Sequence, residues 1–199
     1  MHVIGLLGGV ASGKSLVARQ LAALGAGVLD ADQAAHEALN IPRIEDSVRK
    51  RWGERVFGAD GRVDRSQLAR IVFADPPEGP RERQFLEQLT HPAIGRKLAK
   101  EAERLAASGS PAAVLDAPLL LEAGWDRLCS RLVFVDAPRE LRLVRASARG
   151  WSEREFLARE AAQQSLDCKR RRADMVVDNT GPPEQTRAQV ERFWHSLVG

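Results

Sequence analysis

The chain has 199 residues and a mass of 21.9 kDa, enough for one domain, or one domain with an insert, that buries about 70% of its unfolded surface without staples. Hydrophobic residues make up 44% and charged residues 29%, which excludes intrinsic disorder, collagen-like repeats and a disulfide scaffold. The formal net charge of +3 permits a polyanionic ligand without choosing between nucleotide and nucleic acid.

His2 to Leu7 is an apolar run of strand length, broken by Gly8 and Gly9. From Lys14 to Leu24, the residues Leu16, Val17, Leu21 and Leu24 recur at helical spacing, and Gly25 follows as a stop. Val28-Leu29-Asp30 is a second strand ending in an acid. Strand, glycine-rich turn, helix and strand make the start of a βαβ unit with a parallel sheet.

From Ala31 to Ser110 the pattern turns polar and helical, and it reads as a helical insertion between core strands. Asp64-Arg65-Ser66-Gln67 is an Asp form of the capping box and opens the amphipathic run Leu68 to Phe73. Ile94 to Ala107 is a charged helix, with His91-Pro92 before it as a possible cap. Ala112 to Asp116 and Arg131 to Asp136 return to strand, Arg139 to Arg149 is a basic helix, and Ser152-Glu153-Arg154-Glu155 is a literal capping box. Met175-Val176-Val177 is the last strand, and a helix over Glu184 to Leu197 closes the chain. Short strands alternating with helices predict a doubly wound α/β fold around a five-stranded parallel sheet.

Gly8-Gly9-Val10-Ala11-Ser12-Gly13-Lys14-Ser15 fits G-x-x-x-x-G-K-[ST], the phosphate-binding P-loop, in its required place after a strand and before a helix. Glycines let successive N–H groups turn onto an anion, and the helix N-terminus adds its positive end. Lys14 would reach the β- and γ-phosphates of a nucleoside triphosphate, and the Ser15 hydroxyl would be a Mg²⁺ ligand. Asp30 and Asp32 follow the carboxyl end of the second strand, where ligands of open α/β sheets bind. A carboxylate there can accept a hydroxyl proton or orient water, or it can cap the helix starting near Gln33. Val114-Leu115-Asp116 is strand followed by acid, which suits support of Mg²⁺.

Arg142, Arg145 and Arg149 lie on the basic helix, and the last two share a face four residues apart. They read as the cations of a lid over transferring phosphate, or as a solvated face. Lys169-Arg170-Arg171-Arg172 reads as solvated. Cys129 and Cys168 lack metal or disulfide spacing and suit free thiols in a reducing cytosol, hence a cytoplasmic protein. No basic leader precedes the first strand and no apolar run approaches ~20 residues, so neither a signal peptide nor a membrane partner is expected.

Further segments give the chain a specific likeness. They are Gly5 to Ser15, Leu29-Asp30-Ala31-Asp32 with His36, His91-Pro92-Ala93-Ile94, and Asp116-Ala117-Pro118-Leu119-Leu120-Leu121-Glu122. Arg159-Glu160-Ala161-Ala162-Gln163, Lys169, Ala173-Asp174 and Asp178-Asn179-Thr180-Gly181 continue it nearly to the end. In this order they resemble the dephospho-CoA kinase family. The resemblance implies ATP-dependent phosphorylation of the 3′-hydroxyl of dephospho-CoA, giving CoA and ADP, the last step of coenzyme A synthesis. It implies one P-loop kinase domain over 1–199, with core segments 1–35, 111–138 and 173–199, an acceptor-binding insertion over 36–110 and a lid over 139–172.

By the same resemblance, Asp32 is the general base, and Lys14, Arg145 and Arg149 act on the phosphates. Gly9, Val10, Ala11, Ser12, Gly13, Lys14, Ser15 and Leu16 hold ATP. Asp32, His36, His91, Leu119, Glu122, Arg159 and Gln163 serve the acceptor. Ser15 ligates Mg²⁺, with Asp116 behind it through water. Leu7, Ala11 and Leu16 depart from the Thr, Gly and Thr common in the family; Ala11 is tolerable there if its φ is negative. No nucleic acid, membrane or obligate protein partner is implied.

Other readings have less in their favour. A nucleoside or nucleoside-monophosphate kinase would share the P-loop and lid, but not the longer insertion. A GTPase needs an NKxD motif that is absent, and its DxxG match at Asp178 to Gly181 falls too late in the chain. A nucleic-acid module needs interleaved aromatic and basic residues, which the four tryptophans do not provide.

Overall fold

The computed structural model describes residues 1–199, which divide into two compact units: Met1–Asp30 with Ala99–Gly199, and Ala31–Leu98. The first unit is built on the expected sheet. Strands β1 (His2–Gly8), β2 (Gly27–Asp30), β3 (Ala112–Asp116), β4 (Arg131–Asp136) and β5 (Met175–Asp178) are all parallel, in the order β2-β3-β1-β4-β5. The central β1 is apolar from Val3 onward and buried, as a strand covered on both faces must be. The edge strands show the opposite signature, with Val28 of β2 52% exposed and Val176 of β5 36% exposed.

Helix α1 (Lys14–Ala23) leads from β1 to β2, and α9 (Pro183–Val198) packs beside it. Val17 and Leu21 of α1 and Val190 and Trp194 of α9 close one core with Ile4, Leu6, Val114, Val133, Val135 and Val177 of the sheet. Chain order reverses around β1: α1 carries the chain toward β2 and β3, whereas β4 lies on the far side. The carboxyl ends of β1 and β3 therefore flank the switch point, the place where such sheets bind ligands. Helices α6 (Arg139–Ser147), α7 (Glu153–Ala161) and α8 (Leu166–Arg172) fill the stretch between β4 and β5. Both halves of the capping box open α7: Glu155 N donates to Ser152 Oγ at 3.3 Å, and Ser152 N to Glu155 Oε2 at 2.8 Å.

The second unit holds α2 (Ala31–Leu39), α3 (Pro42–Trp52), α4 (Arg65–Val72) and α5 (Glu78–Ala107) up to residue 98. Pro42 opens α3, and Gly53 at φ 72° ends it. Asp64 caps α4, accepting from Ser66 N at 2.8 Å and Gln67 N at 3.2 Å. Its own amide donates to Val56 O at 2.8 Å, so only one half of the expected box forms. Glu82 of α5 accepts from Trp52 Nε1 at 2.8 Å and pairs with Arg51, while Phe85 meets the Trp52 ring edge-on at 5.5 Å.

The helix expected to start at Ile94 starts at Glu78, and Pro92 lies inside it. Proline deprives one turn of a single N–H donor, and 30 residues of packed helix outweigh that loss. Thr90 Oγ1 donates to Leu86 O at 2.8 Å, a side-chain bond in the turn before it. His91 is thus a helix-interior residue rather than a cap. No helix is long and apolar enough to cross a membrane.

Candidate active site

The loop after β1 turns at Gly13, the N-cap of α1, with φ 103°. A Cβ there would stand 2.0 Å from Asn179 Nδ2, so this glycine leaves room for a neighbour as well as permitting a positive φ. Lys14 Nζ donates to Gly9 O at 3.0 Å and Gly8 O at 3.3 Å, folding back over the loop. Burial pulls its pKa down to about 8, Asp116 works against that shift, and Lys169 and Arg142 add to it. Ser15 Oγ donates to Asp116 Oδ2 at 2.8 Å, joining α1 to the end of β3. Two hard oxygens at the loop mouth suit Mg²⁺. No cluster of three His, Cys, Asp or Glu could cage a metal alone, so the donor set fits a cation that takes its other ligands from phosphate and water. Leu16 lies in the first turn of α1, its amide donating to Gly13 O at 2.9 Å.

Ala11 has φ 58°, so the expected condition for its tolerance, a negative φ, is not met. Its methyl is buried in a cluster with Val10, Ala146 and Phe156, lined by Leu143 and Trp151. Packing compensates for a left-handed conformation that costs an L-residue about 1–2 kcal/mol.

The outer rim of the loop is held from β5 and α6. Asn179 Nδ2 donates to Ser12 O at 2.7 Å, and Arg145 donates to Ser12 O at 3.2 Å and to Asn179 O at 2.9 Å. Thr186 Oγ1 donates to Asn179 Oδ1 at 2.8 Å, and both residues are buried. Thr186→Val keeps the shape but leaves that amide oxygen buried and unpartnered. It is expected to lower the unfolding free energy by about 1–3 kcal/mol, read from urea denaturation midpoints.

Arg145 and Arg149 are electrostatic neighbours: burial and then Arg149 lower the proton affinity of Arg145. Arg149 and Arg159 both stand over the Trp151 ring, at 6.0 and 4.2 Å from its centre. Arg142 departs from the expected phosphate-facing or solvated role. It is 2% exposed and paired with Glu160 at 2.6 Å.

Lys169 is also buried, at 2% exposure, which corrects its reading as part of a solvated run; Arg170, Arg171 and Arg172 are exposed. Lys169 Nζ donates to Gln163 Oε1 at 2.8 Å and pairs with Glu122 at 3.4 Å, and Glu122 Oε1 also accepts from Gln164 N at 2.7 Å. Two residues expected on the acceptor side, Glu122 and Gln163, thus meet through a third. Leu119 lies in the turn after β3, half-buried.

In the second unit, Asp32 occupies the first turn of α2, which begins at Ala31, so it is not the cap of a helix starting near Gln33. His36 is one turn further on, and both are exposed. His91 is half-buried inside α5, and burial lowers its pKa.

Asn179, Thr186, Lys169 and the Arg142–Glu160 pair carry no local signal of these contacts. Their partners lie 5 to 167 residues away. Asn179, Lys169 and Glu160 lie in segments of the family likeness and Arg142 on the basic helix, and only Thr186 belongs to no segment that the sequence marks for function.

The model of the dephospho-CoA kinase family matches residues 2–184. A dephospho-CoA kinase of Symbiobacterium thermophilum is 45% identical over 204 residues, covering 100% of this chain and 82% of that one. The solved structure of TT1252 from Thermus thermophilus superposes with a TM-score of 0.80 at 39% identity, covering 100% of this chain and 98% of that one. A dephospho-CoA kinase from Campylobacter jejuni shares the fold, with a TM-score of 0.65 at 22% identity over 99% of this chain and 97% of that one. A P-loop with its lysine and serine in place at the switch point of a five-stranded parallel sheet, and a family match over almost the whole sequence, lead to one conclusion: the chain belongs to the dephospho-CoA kinase family.

Proposed function

We propose that the chain transfers the γ-phosphoryl group of ATP to the 3′-hydroxyl of dephospho-CoA, releasing CoA and ADP in the last step of coenzyme A synthesis. The observation that carries this reading is the formed P-loop, with Lys14 folded over it and Ser15 bonded to Asp116, in a chain matched by that family's model over residues 2–184.

Gly9 to Leu16 wrap the triphosphate, and Lys14 moves its ammonium from the Gly8 and Gly9 carbonyls onto phosphate oxygens. Ser15, backed by Asp116, holds Mg²⁺, which when bound neutralises charge on the phosphates. Asp32, two residues beyond β2, takes the proton of the 3′-hydroxyl. The freed oxygen bonds to the γ-phosphorus as the bond to the bridging β–γ oxygen breaks, and ADP leaves with that electron pair. Arg145 and Arg149, on and after α6, supply cations from a lid formed by residues 139–172. His36, His91, Leu119, Glu122, Arg159 and Gln163 serve the acceptor, with the helices over residues 36–110 as its platform. The site of action is cytoplasmic, which suits the free thiols of Cys129 and Cys168.

The test is ADP release by the purified chain with Mg·ATP, comparing dephospho-CoA against a panel of nucleosides and nucleoside monophosphates. Turnover confined to dephospho-CoA is expected. Faster turnover of a nucleotide acceptor would overturn the acceptor assignment.

A further inference from the structure

We propose that Arg142 is a positioning residue that aims a phosphate-binding amide of the P-loop from outside the loop, with Glu160 as its counter-charge. Its guanidinium is buried and makes three bonds with one planar group: Nη1 donates to Glu160 Oε1 at 2.6 Å and to Val10 O at 3.3 Å, and Nε to Ala137 O at 3.2 Å. It lies so close to the loop that a Cβ on Gly9 would stand 2.7 Å from Nη1.

The Val10–Ala11 peptide is trans. In a trans peptide the C=O and N–H point in opposite directions. A carbonyl of Val10 drawn outward onto Arg142 therefore turns the Ala11 N–H away from Arg142, toward the hollow of the loop. The Ser12–Gly13 peptide repeats the arrangement, with its carbonyl held outward by Asn179 and Arg145. Neither the Ala11 nor the Gly13 amide donates to another backbone group, so both are free for an anion.

Ala11, just past the gripped carbonyl, sits at φ 58°. Such strain persists where the surroundings over-determine it. Arg142 on one side, and Phe156 and Ala146 packed against the methyl, provide that constraint. Glu160, also approached by Arg139 at 3.6 Å, keeps the buried cation compensated.

The proposal rests on the nucleotide reading above, and the test separates the two. Binding of ADP and of adenosine is measured for the unsubstituted chain, Arg142→Met, Arg142→Lys and Glu160→Gln, with circular dichroism to check folding. Arg142→Met is expected to weaken ADP binding by about tenfold and adenosine binding by less than about twofold, because only ADP uses the amides. Arg142→Lys keeps the charge but not the planar fork, and it retains most of the loss. Full recovery in Arg142→Lys would show that charge alone acts and would overturn the positioning role. So would equal losses for both ligands, or an unchanged ADP affinity. If Arg142→Met does not fold, Glu160→Gln loosens the fork with Arg142 in place, and the same ADP-selective loss is required. Failure of the unsubstituted chain to bind ADP would overturn the nucleotide reading itself.

Discussion

Lys14→Met is expected to lower turnover by ~10²–10³ and to weaken ATP binding at least about tenfold, without lowering the melting temperature of the free chain. The ammonium meets the phosphates both in the bound complex and as charge shifts during transfer, so affinity and rate fall together. The stability side follows from its surroundings. Burial pulls the Lys14 pKa from 10.5 to about 8, so the folded chain holds this proton less firmly than the unfolded chain does. The charged lysine therefore opposes folding at pH 7, and the opposition fades between about pH 8 and 10.5. Methionine keeps the apolar stem and removes the charge. ADP release, ATP titration and a thermal melt on the same preparation check all three parts. Unchanged ATP affinity, or a chain that melts well below the parent, would contradict this account of Lys14.

The contrast between Lys14 and Lys169 marks where sequence reading works and where it stops. Lys14 is legible because its whole environment is local: a glycine turn, a strand before it and a helix after it. Lys169 stands first in a run of four basic residues, and such a run ordinarily faces water. Its burial depends on Glu122, 47 residues earlier, which no local pattern announces. Arg142 is similar, since the charge that compensates it lies 18 residues on and the carbonyl it grips 132 residues back.

The sheet was legible for the same reason as Lys14. Each strand is a short apolar run with glycine, proline or acid at its edge, and β4 matches Arg131 to Asp136 residue for residue. The start of α5 was not, because Pro92 looks like a helix beginning unless the helix before it is already known to pack. The left-handed Ala11 was hidden for a further reason. A side chain that is unfavourable in isolation is tolerated where its methyl fills a buried cluster.

Asp32→Asn is expected to leave ATP binding intact and to lower turnover by ~10²–10⁴, the range for loss of a positioned general base. Asp32 stands two residues past the end of β2, in the first turn of α2, and is exposed. A strand leads out of the sheet on its ligand-binding side, and the first turn of the next helix carries the carboxylate. The asparagine is close in size and keeps a hydrogen-bond acceptor, so it tests proton uptake rather than packing. ATP already carries its own negative charge and gains little from a nearby carboxylate, so its affinity should hold or rise slightly. Asp30 provides the control. It belongs to β2 itself, and the same substitution there should cost far less if the two carboxylates are not interchangeable. The comparison is made by single-turnover phosphoryl transfer to dephospho-CoA at saturating ATP. Near-parental turnover in Asp32→Asn, with a large loss in Asp30→Asn, would move the base to the strand end and take Asp32 out of the chemistry.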